Sequence, residues 1–176
     1  PQLFACLKTI LNQTISPEEI ILVDSGEVNI KREILDLINK RKIKLVYIFK
    51  KLSRVKSLNL ALERSTSKYS FRFDSRSRFS NDYAKHALKI LKDKNLDVSV
   101  VGGVPTVISS SNNFEPRICS EIMKSSYLYF FPKHRNTNYN GFSSSIYLGC
   151  FSTKFLQKIR FNEKEALVSE DSLIIN

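Results

Sequence analysis

The chain has 176 residues, 42% of them hydrophobic and 26% charged, with only five glycines and five prolines. That is enough for one domain with a substantial core, and it excludes a collagenous, low-complexity or disordered chain. Lys and Arg number 28 against 17 Asp and Glu, a net charge of +11, which favours anionic partners such as phosphates, nucleic acid or an acidic membrane face. The lysines are scattered, so a compositional bias explains the charge equally well.

Leu3, Leu7, Ile10 and Leu11 recur at helical spacing, so the chain opens inside a helix that ends before Pro17. "EIILVD" (19–24) reads as a buried strand ending on Asp24, and Ser25-Gly26 turn the chain. Ile30, Ile34, Leu37 and Ile38 predict a second helix, "KLVYIF" (44–49) a second strand, and Val55, Leu58, Ala61 and Leu62 a third helix. "YSFRFD" (69–74) predicts a third strand, running into Arg76 and Arg78. Ser80 reads as the N-cap of a helix through Leu91, with Asp82 in its first turn. "DVSVVGG" (97–103) predicts a fourth strand. Farther on come a helix at 115–126, the basic aromatic segment "YLYFFPKHRNTNYNGF" and the strand "SSIYLGCF". The short helix "STKFLQKI" comes next, and then a closing helix opened by Ser169, Glu170 and Asp171.

Alternating strands and helices of about a dozen residues predict βαβ units and a mostly parallel sheet. Ligands of such sheets bind beyond the carboxyl ends of the strands, which puts Asp24 and Asp74 on the binding rim. Cys6, Cys119 and Cys150 are odd in number and lack metal-ligand spacing, so they read as core residues in a reducing compartment. No run of about 18 apolar residues is present to cross a membrane as a helix.

Five segments together resemble family 2 glycosyltransferases. "LKTILNQTISPEEIILVDSG" resembles the opening helix, turn and strand; "RVKSLNLAL" resembles the helix after the second strand. "FRFDSRSRF" stands where the family has its Asp-x-Asp strand end, "SIYLGCF" resembles the acceptor-side glycine strand, and "SEDSLI" the Glu-Asp motif of the catalytic base. Within the family, "RFDSRSRFSNDY" and "YLGCF" look most like the subgroup that builds exopolysaccharides of the succinoglycan type.

The resemblance implies a single α/β domain of the GT-A fold, a Rossmann-like nucleotide-diphospho-sugar transferase with a mostly parallel central sheet. Both chain ends fall within helices, so residues 1–176 read as a piece of a larger protein, lacking the family's first strand and its C-terminal part beyond the Glu-Asp helix. The implied reaction is inverting transfer of a sugar from a nucleotide-diphosphate donor to a glycan or lipid-linked acceptor. It would take place in the cytoplasm, at the inner membrane face, where the positive charge suits anionic lipid.

The implied roles are specific. Asp24 accepts hydrogen bonds from the base or ribose, Asn59 faces the nucleotide, and Lys56 faces the donor phosphates. Asp74 holds Mg²⁺ or Mn²⁺ on the diphosphate, and Asp171, beside Glu170, is the general base. One departure stands out: the family's second Asp is Arg76 here. Either Asp74 with diphosphate oxygens and water suffices for the metal, or Arg76 pairs with phosphate itself, or Arg76 and Arg78 simply alternate to solvent.

Lys133, His134 and Arg135 form a basic loop that either closes over the diphosphate or lies on the surface. Two rival readings remain at this level. One is a transferase fold without activity. The other is a basic nucleic-acid-binding domain, although no RNA-binding signature is present and the basic residues do not cluster.

Overall fold

The computed structural model describes residues 2–39, 41–106, 108, 117–118, 121–122, 139–143 and 146–163. The first half alternates as its periodicity predicts. Helix α1 (Gln2–Leu11) leads to β1 (Glu19–Asp24), α2 (Lys31–Ile38), β2 (Lys44–Phe49), α3 (Arg54–Arg64), β3 (Tyr69–Phe71), α4 (Tyr83–Leu91) and β4 (Val100–Gly103). Strand β5 (Tyr147–Ser152) and helix α5 (Thr153–Ile159) come after them. The predicted helix at 115–126 and the Glu170–Asp171 helix lie largely or wholly outside the described residues.

The sheets are mixed, which corrects the expectation of a mostly parallel one. β1 and β2 pair in parallel, from Glu19 opposite Lys44 to Asp24 opposite Phe49. β3 and β4 instead flank β5, and both run antiparallel to it. The late strand "YLGCF" comes between two strands that are neighbours in sequence, an insertion that local periodicity cannot announce.

Two apolar clusters hold these layers. Cys6, Leu7, Ile10 and Leu11 of α1 pack with Ile20 of β1 and with Ile34 and Ile38 of α2. Val55 and Leu62 of α3 pack with Phe151 of β5, Leu156 of α5 and Phe161. Helix α3 also packs on β1, and so joins that strand to the three-stranded sheet.

Two local expectations shift. Pairing of the third strand stops early: the last regular residue is Phe71, one further bond runs from Arg72 N to Gly149 O at 3.0 Å, and Asp74 opens a turn closed by Ser77 N on its carbonyl at 2.9 Å. Ser80 is not an N-cap. Its carbonyl is taken by the Gln13 side-chain amide at 2.7 Å, and α4 begins at Tyr83 after Asp82. Gln13 Oε1 accepts the Ala84 N–H at 2.9 Å, so a buried glutamine just beyond α1 organises this helix start.

Candidate functional site

Asp24 is the last residue of β1, and the turn behind it fixes its carboxylate. The Gly26 N–H donates to Oδ1 at 2.9 Å and the Tyr47 hydroxyl donates to Oδ2 at 2.6 Å. Tyr47 Oη in turn accepts the Ile30 N–H at 3.1 Å, which ties the entry of α2 to the same point. Burial and the neighbouring Asp24 carboxylate hold the Tyr47 phenol above its usual pKa of 10, so it stays a donor at neutral pH. Each Asp24 oxygen has accepted one hydrogen bond and retains a lone pair for a further donor.

The turn after β1 meets the start of α3. Ser25 Oγ donates to Lys50 O at 3.0 Å and lies 3.4 Å from Ser57 Oγ. Ser53 caps α3 by accepting the Lys56 N–H, and the Lys56 side chain is exposed in that first turn. Arg54, in the same turn, reaches across to the 74–77 turn, where Nη2 donates to Asp74 Oδ2 at 3.0 Å. The turn after Asp24 and the Asp74 carboxylate therefore both adjoin the start of α3.

Asp74 is held from several sides. Arg72 Nε lies 3.6 Å from Oδ1, and the Arg72 side chain is only 4% exposed, with its guanidinium over the Phe161 ring at 5.7 Å. The Asp74 carbonyl accepts the Cys6 thiol at 3.3 Å. Burial pushes the Cys6 thiol up to about 11; Arg78 works against this and Asp74 with it. Ser77 Oγ is 2.8 Å from Tyr147 Oη, which anchors the turn to β5. Arg76 and Arg78 are both exposed, with the half-buried Ser77 between them.

Asn59 does not join this group. It is 3% exposed, its Nδ2 donates to Phe161 O at 2.9 Å and to Glu163 Oε1 at 3.0 Å, and its Oδ1 accepts the Phe161 N–H at 2.9 Å. The reason is helix phase: Val55, Asn59 and Leu62 share the core-facing stripe of α3. Asn59 thus fastens the 161–163 segment to α3. Glu170, Asp171, Lys133, His134 and Arg135 lie outside the described residues.

Sequence reasoning missed Tyr47, Arg54 and Arg72. An arginine inside the otherwise apolar run "YSFRFD" was the available signal for Arg72, since a buried cation needs a partner. Tyr47 is unremarkable in "KLVYIF"; only the parallel register, with Leu22 opposite Tyr47, brings its hydroxyl to Asp24.

The resemblance implies a divalent ion on Asp74, and the described residues do not fit one. The carboxylate is engaged by two guanidiniums, and an arginine occupies position 76. Among the described residues no three His, Cys, Asp or Glu side chains gather to hold a metal ion.

The family model "Glycosyl transferase family 2" matches residues 1–159. A comparison with curated proteins finds no match. Among solved structures, S. aureus TarS is similar with a TM-score of 0.62 and 17% identity, over 99% of this chain and 30% of that one. The structure of S. aureus TarS 1–349 is similar with a TM-score of 0.60 and 17% identity, over 99% of this chain and 50% of that one. The chain spans half or less of these relatives' length, and the likeness at this identity concerns the fold, an α/β domain of GT-A type. With a match across all but its last residues, the chain belongs to glycosyl transferase family 2.

Proposed function

We propose that this domain binds a nucleotide-diphosphate sugar and transfers the sugar, with inversion, to a glycan or lipid-linked acceptor in polysaccharide biosynthesis. The observation that carries the reading is the Asp24 carboxylate. It stands at the carboxyl end of β1, is fixed by Gly26 and Tyr47, and retains acceptor capacity for base or ribose donors. Lys56 and the arginines across the α3 start supply positive charge for the phosphates.

In the proposed step an acceptor hydroxyl attacks the anomeric carbon from the face opposite the nucleotide. The carbon–oxygen bond to the diphosphate breaks, and the electron pair leaves with the nucleoside diphosphate. The hydroxyl proton passes to Asp171, with Glu170 beside it in the motif. Asn59 contributes indirectly, by fastening the segment that leads toward those residues. The charge of +11 suits a cytoplasmic location against anionic lipid, and among the described residues no helix is long and apolar enough to cross a membrane.

Calorimetric titration with UDP, GDP, ADP, CDP and dTDP tests the reading. At least one should bind, and Asp24→Asn should weaken it by about tenfold, the loss expected for one charge-assisted hydrogen bond. No binding of any of the five by folded protein would overturn it. A fold that binds the nucleotide but does not turn over the donor is the second reading, favoured by the arginine-paired Asp74. Release of nucleoside diphosphate from a bound donor would exclude that.

A further inference from the structure

We propose that the donor's diphosphate is received by guanidinium groups, Arg54 and Arg76 with Arg78 beside them, and that Asp74 organises these arginines instead of holding a divalent cation. This rests on the donor-binding reading above and specifies how the phosphates are neutralised.

Both oxygens of the Asp74 carboxylate face guanidinium groups, one through a hydrogen bond and one through an ion pair. Oδ2 accepts from Arg54 at 3.0 Å, and Oδ1 faces Arg72 Nε at 3.6 Å. The Arg72 side chain is 4% exposed, so its charge cannot retreat into water, and Asp74 offsets it. Drawing the carboxylate onto a divalent ion would weaken that pairing and would set the ion beside two guanidinium charges. The electrostatics of the site favour an anion there over a third cation.

The exposed side of the same cluster is also basic. Arg54 keeps 61% of its side chain exposed while bonded to Asp74, so its charge borders on solvent. Arg76 is exposed at the head of the 74–77 turn. Its backbone is nonetheless well fixed. The Asp74–Ser77 turn is closed by its own hydrogen bond, capped by the Cys6 thiol and anchored to Tyr147. Arg78 extends the positive face, with Nη1 donating to Ser77 O at 2.9 Å. A guanidinium stays protonated throughout and binds phosphate oxygens through two parallel donors, so it can meet the charge that a metal would otherwise meet. The arginine at position 76 is then one of the site's cations, and not merely a lost ligand.

The test is calorimetry on the intact protein with the nucleoside diphosphate that binds best, in EDTA and in Mn²⁺, and with the matching monophosphate. The expected result is equal diphosphate affinity in both buffers. Arg76→Gln should weaken the diphosphate by about tenfold while monophosphate affinity and the melting temperature stay unchanged. Arg76→Lys should recover part of the loss. Binding that needs Mn²⁺, or an Arg76→Gln protein that binds the diphosphate as tightly as its parent, would overturn the arginine proposal and leave donor binding intact. Failure of every nucleoside diphosphate to bind in either buffer would overturn both.

Discussion

The Tyr47 hydroxyl donates to Asp24 at 2.6 Å while accepting the Ile30 N–H, so one phenol sets the direction of the carboxylate and the entry of the next helix. Tyr47→Phe should keep the fold, lower stability by about 1 kcal/mol and reduce nucleotide affinity several-fold, because the carboxylate loses its fixed orientation. Urea denaturation and calorimetry on the same protein separate the two effects.

Asn59 makes three hydrogen bonds at a buried position, and two of them satisfy the backbone of Phe161. Asn59→Leu fills the space but strands the Phe161 N–H and C=O. A loss of about 2–4 kcal/mol is expected in urea denaturation, with hydrogen exchange accelerated at Phe161. Nucleotide affinity measured below the unfolding transition should hold, since the Asn59 amide faces inward.

Glu19 pins the loop between α3 and β3 to the start of β1. It accepts from Thr66 N at 2.9 Å and Ser67 N at 3.2 Å, and Lys44 lies 3.8 Å away. Burial pushes its carboxyl pKa up, but these hydrogen bonds and Lys44 together outweigh burial and hold it below the usual 4.5. A depressed folded-state pKa contributes stability above the unfolded-state value, and that contribution fades as pH falls through the folded-state value. Glu19→Gln should therefore cost about 1 kcal/mol at pH 7, and the gap to the parent should close as pH drops below the carboxylate range. Urea midpoints of both proteins across pH 3 to 7 (an experimental range of roughly the carboxylate window) check this.

Burial pushes the Cys150 thiol up to about 12, as it pushes Cys6 to about 11. Thiolate is the reactive form, so both should resist iodoacetamide in the native protein at mildly alkaline pH and react once urea unfolds it. Mass spectrometry of the labelled peptides reads this directly. Native-state labelling of either would mean that the packing around it opens.

The strands β1 and β2 were legible to the residue, because each is an uninterrupted apolar run bounded by turn residues or charge. The helix at Val55–Leu62 was legible from its period, and so was the position of Asp24 as the last residue of β1. What escaped was set by partners distant in sequence. The shortening of β3 depends on β5, some 80 residues later. The buried side of α3 depends on Phe151 and Phe161, which turn Asn59 inward. Arg54 sits next to a helix cap with nothing in its neighbours to single it out, yet the fold brings it to Asp74. Phase along one helix and alternation along one strand are local, whereas which face is occupied and by what is a property of the assembled layers.

The placement of β5 between β3 and β4 has a consequence for synthesis. The β1–β2 pair and its helices involve neighbours in the chain and can assemble as they emerge. The three-stranded sheet must wait, because both outer strands share a partner that the ribosome delivers only at Tyr147–Ser152. Until then two strand edges stand unpaired, the period in which a nascent chain is most exposed to misassociation. A translational pause before residue 147 should lengthen that interval, and a pause after Ile159 should not.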